Sequence, residues 1–163
     1  MIFVTVGTHE QPFNRLVQYM DKWAEEHDEK VIIQTGFSTY EPKHCEWNKL
    51  YSYTQMVELV KNARIVITHG GPSSFIMPLQ IRKIPLVVPR KKEFDEHVND
   101  HQVEFSKAVA ERQGNIIVVE NVEEIADIID KYSDTVATMP SALNSNNAIF
   151  NQKLEKVVQE LFK

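Results

Sequence analysis

The stretch from Arg64 to Ser74 holds the densest chemical signal in the chain. Ile65, Val66 and Ile67 form an uninterrupted β-branched run, as expected of a strand buried on both faces. Thr68-His69-Gly70-Gly71 follows as a turn in which the glycines let a ligand or another backbone come close. Pro72 suits a first helical position, and Ser73 and Ser74 stand beside the free N–H groups of a helix start. Such an arrangement binds anions, phosphate foremost. The same residues also suit a plain strand–turn–helix corner with capping serines.

Two other polar segments bear on this choice. Gly7-Thr8-His9-Glu10-Gln11 ends the first apolar run, and Pro89 to Gln102 ends another. Neutral hydroxyls, imidazoles and helix N–H groups together suit a diphosphate. There is no G-x-x-x-x-G-K-[ST] loop and no G-x-G-x-x-G, which argues against a P-loop and a dinucleotide site. No Asp-x-Asp pair stands at a strand end to place a divalent metal on the diphosphate. What remains is a nucleoside diphosphate held without metal or cofactor, by dipoles and hydrogen bonds, with leaving-group stabilisation as the main electrostatic task.

The elements that must position these residues alternate along the chain. Strands are expected at Met1–Val6, Lys30–Gln34, Ile65–Thr68, Ile84–Val88 and Asn115–Val119, with a short one within Glu46–Tyr51. Phe13, Leu16, Val17, Met20, Trp23 and Ala24 recur at helical spacing, predicting a helix from Pro12 to about His27. Thr54 is expected to cap a helix bearing Met56, Leu59, Val60 and Ala63. The helix expected over 73–82 contains Pro78, which should remove one hydrogen bond and kink it. A further helix with Val98, Phe105, Ala108 and Val109 inward runs to Arg112, with Gly114 as its stop. Asn121 and Glu124 form a cap signature for the next. A last helix carries Phe150, Leu154, Val157, Val158 and Leu161. This alternation predicts an α/β fold, a Rossmann-like, mainly parallel sheet flanked by helices. Ligands in such sheets sit beyond the carboxyl ends of the strands. The three polar segments lie there, with His9, His69, His97 and His101 on one rim.

Length and composition set the outer limits. With 163 residues the expectation is a single domain, 1–163, and 42% hydrophobic residues suffice for a core. Lys and Arg total 18 against 23 Asp and Glu, a net −5, so no nucleic-acid partner is expected. One cysteine, Cys45, excludes an internal disulfide. The first residues carry no basic segment, and no apolar run approaches the roughly 20 residues of a membrane helix. A cytoplasmic protein is expected, with any membrane attachment through a partner.

His69-Gly-Gly-Pro-Ser-Ser74, then Pro85-Leu-Val-Val-Pro89 and Asn99-Asp-His-Gln102, resemble the donor-binding half of GT-B glycosyltransferases, within glycosyltransferase family 28. Val4-Thr-Val-Gly-Thr-His-Glu-Gln-Pro-Phe-Asn-Arg-Leu16 and Gln34-Thr-Gly-Phe37 are similar to one branch. That branch comprises the small soluble subunits of bacterial capsule and exopolysaccharide glycosyltransferases. It also includes the soluble subunit of the two-part eukaryotic dolichol-linked N-acetylglucosaminyltransferase. The resemblance covers about residues 1–120. It implies that His69, Ser73 and Ser74 meet the diphosphate, with Gly70 and Gly71 in the turn between them. It implies that Gly7, Thr8 and His9 form a phosphate-facing loop, and that His101 and Gln102 hold the donor-sugar hydroxyls. Many relatives carry a glutamate for the ribose hydroxyls where this chain has Met77.

The resemblance further implies a hexosyltransferase using a UDP-sugar donor and a polyprenyl-diphosphate-linked saccharide acceptor. A complete GT-B enzyme has two such domains. A membrane-anchored acceptor-half subunit is therefore expected, with the helix in 144–163 docking on it or on this chain's own sheet. His9 is the only plausible general base in this chain, with a phosphate or loop-orienting contact as its competing role; in a split enzyme the partner subunit is the other source of that base. The rival functions are a non-catalytic UDP-sugar-binding subunit or sensor, and a hydrolase or epimerase on the same fold.

Three further groups have ordinary explanations. His97 and His101 stand at a helical i, i+4 zinc spacing, but no third ligand is evident. Arg90-Lys91-Lys92 meets Glu93, Asp95 and Glu96 at once, which suits a solvated loop. Cys45 beside His44 has no third group to orient a catalytic pair.

Overall fold

The computed structural model describes residues 1–139. Six strands form one sheet: β1 (Ile2–Thr5), β2 (Val31–Gln34), β3 (Glu46–Asn48), β4 (Ile65–His69), β5 (Leu86–Val88) and β6 (Ile117–Val118). Their spatial order is β3-β2-β1-β4-β5-β6 and every neighbouring pair is parallel. Thr5 is level with Gln34 on one side and Thr68 on the other. The chain winds outward from β1 to β3, returns, and winds the other way from β4. The strand order therefore reverses between β1 and β4, where doubly wound sheets form their ligand crevice.

Both faces of the sheet are covered, which explains why its central strands are continuous apolar runs. Alternate residues point to opposite sides. Ile2, Val4, Ile33, Ile65, Ile67 and Leu86 pack under α1 (Asn14–Glu26) and the segment containing α5 (Ile125–Asp130) and α6 (Tyr132–Ala137). Phe3, Ile32 and Val66 meet Val60 and Ala63 at α2 (Tyr53–Asn62). Val87 meets Phe75, Ile76 and Leu79 of α3 (Pro72–Gln80) and Phe105 and Val109 of α4 (His101–Gln113). Burying each such side chain contributes about 1.5–3 kcal/mol.

Several helix details depart from the expectation. The N-cap of α2 is Ser52, not Thr54: Ser52 and Gln55 exchange side-chain-to-backbone bonds in a capping box. α1 starts at Asn14, two residues after Pro12, and Asn14 Oδ1 instead accepts the N–H groups of Thr39 and Tyr40. Val98 precedes α4 and is exposed, and Ala108 also faces out; Gln102 and Ser106 take the inward places beside Phe105 and Val109. Asn121 makes no side-chain cap bond, and Val122–Glu124 is a 3-10 turn leading into α5. Pro78 lies inside α3, which ends two residues later at Gln80. Gly114 closes α4 in the left-handed conformation, φ 60°. The helix expected in 144–163 lies outside the described residues. No helix among the described residues is long and apolar enough to cross a membrane.

Candidate functional site

The crevice at the β1/β4 reversal is built around the His69 ring. His69 is the last residue of β4 and only 6% exposed. Gly7 lies on one side of the ring and Gly71 on the other. A Cβ at Gly7 would fall 2.2 Å from His69 Nε2, and one at Gly71 would fall 2.1 Å from Cε1. Gly7 is also left-handed, φ +74°, which a side chain disfavours. Its N–H donates to Thr5 Oγ1 at 3.1 Å. The glycines thus serve first to let an imidazole slide between two loops.

Hydrogen bonds fix the tautomer of that ring. The Gly71 N–H donates to Nδ1 at 3.2 Å, so Nδ1 carries the lone pair. Nε2 must then bear the proton, which it donates to Ser74 Oγ at 2.9 Å. Burial, with the Arg90 guanidinium nearby, pushes the His69 pKa down to about 3, so the ring is neutral at physiological pH. Ser74 accepts from His69 and keeps its own O–H as a donor at the start of α3. The helix has Gly71 as N-cap, Pro72 at its first position and no capping side chain, so its N-terminus is open to an anion.

Gln102, in the first turn of α4, braces this turn from behind. Its Oε1 accepts the N–H of Gly70 at 3.1 Å and of Arg90 at 3.0 Å, and its Nε2 lies 3.4 Å from His69 Nδ1. The side chain is buried, and its carbonyl oxygen is occupied by backbone. A Cβ at Gly70 would come within 2.9 Å of Gln102 Cβ, so only glycine allows this approach.

The structure therefore brings Gly7, His69, Gly70, Gly71, Ser74 and Gln102 into one cluster. Ser73 and Thr8 sit exposed at its rim, and His101 is exposed on the solvent side of α4. His9 is half-buried, with Nε2 2.9 Å from Gln11 Oε1 and its ring stacked on His97 at 4.7 Å. His97 precedes α4, so His97 and His101 do not share a helix face. No group of three metal-ligating side chains occurs among the described residues. Met77 packs in the apolar cluster with Phe3 and Val66, offering no polar atom to a ribose. Cys45 is inert: burial raises its thiol pKa to about 12, and its neighbour His44 pairs with Glu25 at 3.6 Å.

Sequence reasoning missed the network that ties the loops together. Arg90 is not solvated; it is fully buried. Its guanidinium donates to the carbonyls of Val6 (2.7 Å), Gln11 (2.6 Å) and Glu96 (3.1 Å), joining the loop after β1 to the loop after β5. Arg15 of α1 grips the buried Glu96 carboxylate with two bonds, at 3.0 and 2.9 Å, and reaches the Pro89 and Glu120 carbonyls. The dense charged run from Arg90 to Glu96 hid these partners, because its buried and exposed members are of the same residue types. The one available signal was Arg90 itself, next to the Pro89 that closes the apolar run of β5.

The all-parallel sheet with helices on both faces is a Rossmann-like α/β domain, with an anion-competent strand–turn–helix at its reversal point. The family model described as the glycosyltransferase family 28 C-terminal domain matches residues 1–161, and the chain belongs to that family. Three solved structures share the fold. The glycosyltransferase of kitacinnamycin is 15% identical at TM-score 0.57, covering 98% of this chain and 39% of its own. CalG4, the calicheamicin glycosyltransferase, is 12% identical at TM-score 0.57, covering 99% and 44%. SnogD from Streptomyces nogalater is 15% identical at TM-score 0.50, covering 96% and 43%. This chain thus spans less than half the length of each. None of the curated proteins matches its sequence.

Proposed function

We propose that this chain is the donor-binding half of an inverting glycosyltransferase, using a UDP-sugar and a polyprenyl-diphosphate-linked saccharide. The carrying observation is the open N-terminus of α3, with Ser73 and a pre-oriented Ser74 beside it, at the sheet's reversal point. In this reading the acceptor hydroxyl oxygen attacks the anomeric carbon opposite the diphosphate. The bond from that carbon to the β-phosphate oxygen breaks and its electron pair leaves with UDP. The growing negative charge meets the α3 N-terminus, the two serine hydroxyls and the loop at Thr8. Donors placed in this way typically contribute about 10²–10³-fold each. His69 acts one step back, since both its ring nitrogens are engaged within the protein.

The acceptor half is proposed as a separate, membrane-anchored subunit. This chain spans less than half the length of the GT-B structures it resembles, and in this reading the acceptor half lies outside the described residues. Exposed apolar residues support the proposal. Phe37, Leu50 and Tyr53 follow the carboxyl ends of β2 and β3, and Phe94 and Val98 follow that of β5, the end of the sheet at which the crevice lies. The protein would then lie at the inner face of the cell membrane through its partner, in capsule or exopolysaccharide synthesis.

The test is co-expression with the acceptor-half protein and a panel of radiolabelled UDP-hexoses. Transfer to a lipid-linked saccharide that falls at least about 10-fold in Ser74→Ala supports the reading. UDP binding without any transfer identifies a non-catalytic donor-binding subunit. Hydrolysis or epimerisation of the donor by the isolated chain contradicts it.

A further inference from the structure

Building on the donor-half reading above, we infer that Gln11 is the positioning residue for His9, fixing the imidazole tautomer that takes the acceptor's proton. Gln11 Nε2 lies 3.1 Å from the Asp95 carbonyl oxygen. A carbonyl only accepts, so the amide NH₂ of Gln11 must face it. Gln11 Oε1 therefore faces His9 Nε2, at 2.9 Å. That oxygen also only accepts, so His9 Nε2 must carry a proton. In the neutral ring the lone pair then belongs to Nδ1.

The surroundings hold this arrangement from both ends. The Gln11 carbonyl is held by buried Arg90, which also holds the carbonyls of Val6 and Glu96 on either side. Asp95 ends a 3-10 turn over Lys92–Phe94 in the left-handed conformation, φ 55°. The His97 ring stacks on His9 with an interplanar angle of 16° and limits its rotation. The pair thus bridges the loop after β1 and the loop after β5, on the rim of the crevice. A base oriented by a third, fixed acceptor is the general pattern for proton transfer from a hydroxyl.

The step balances. The acceptor oxygen forms its bond to the anomeric carbon and gives its proton to His9 Nδ1. The electron pair of the broken bond leaves on the UDP phosphate. The resulting imidazolium keeps its Nε2–H on Gln11 Oε1 and later releases the Nδ1 proton to water.

Two variants separate positioning from simple loop bracing. Gln11→Met removes both hydrogen bonds. Gln11→Glu keeps an acceptor for His9 Nε2–H but loses the donor to Asp95. In the enzyme assembled with its acceptor half, Gln11→Met should lower kcat about 10²-fold, the low end of what a placed base contributes, with the donor KM and the UDP Kd within about twofold. Gln11→Glu should recover most of that kcat. In parallel, ¹⁵N-histidine NMR of the full chain should show His9 as the Nε2–H tautomer, and a tautomer mixture in Gln11→Met. An Nδ1–H tautomer in the wild type, or kcat unmoved by Gln11→Met, overturns the assignment. Equal losses in both variants would make Gln11 a loop tie only and also overturn it. Failure of the chain to bind UDP at all would instead remove the donor-half reading, a result distinguishable from any of these.

Discussion

Gly7 and Gly71 press on the two sides of the His69 ring, and each predicts a specific lesion. Gly7→Ala adds a Cβ 2.2 Å from Nε2 at a left-handed φ, and Gly71→Ala adds one 2.1 Å from Cε1. Each should displace the imidazole from Ser74, lowering stability by about 1–3 kcal/mol and UDP affinity by at least about 10-fold, as read by denaturant melts and calorimetry. The neutral state of His69 predicts a pH effect. Its pKa is about 3 in the fold, against about 6.5 for an unfolded histidine. Between those values the unfolded chain binds the extra proton. Stability is therefore complete above about pH 6.5 and falls as the pH drops toward 3, by up to about 1.4 kcal/mol per pH unit. His97 is shifted the same way by burial and adds to the slope. Urea midpoints across pH 7.5 to 5 check this, and His69→Gln should flatten the profile. The glycines, His69 and the serines were legible in the sequence because a strand, two glycines and a proline fix their geometry locally. The duty of Gln102 was not, since its Oε1 meets backbone from Gly70 and from Arg90, thirty-two and twelve residues away.

At the scale of elements, the strands and their order of alternation were readable because a doubly covered parallel sheet demands unbroken apolar runs. Helix boundaries were less so. Ser52 rather than Thr54 caps α2 because Gln55, not a later residue, completes the box. The turn from Asp95 to Asp100 precedes α4, so residues that share a helical spacing in the sequence, Val98 with Phe105 and His97 with His101, do not share a face. The ties between loops were the least readable part, and they carry the next prediction. Arg15→Met strands the Glu96 carboxylate, 3% exposed, without its two-pronged partner. The expected loss is about 3–5 kcal/mol in a chemical melt, and Arg15→Met with Glu96→Gln should recover part of it. A fold tolerant of the single change would show that the Arg15–Glu96 pair adds little to the ties that Arg90 already makes.

At the scale of the molecule, the chain is a Rossmann-like domain of glycosyltransferase family 28 with an all-parallel sheet and a polar crevice at its β1/β4 reversal point. The central claim is that the β1/β4 reversal point is a diphosphate clamp. The most direct measurement is isothermal titration of UDP and UMP into the full chain, with and without EDTA, for wild type and Ser74→Ala. UDP should bind at least about 10-fold more tightly than UMP, EDTA should change nothing, and Ser74→Ala should remove most of the UDP advantage. Equal binding of UDP and UMP, or a UDP affinity untouched by Ser74→Ala, would contradict it.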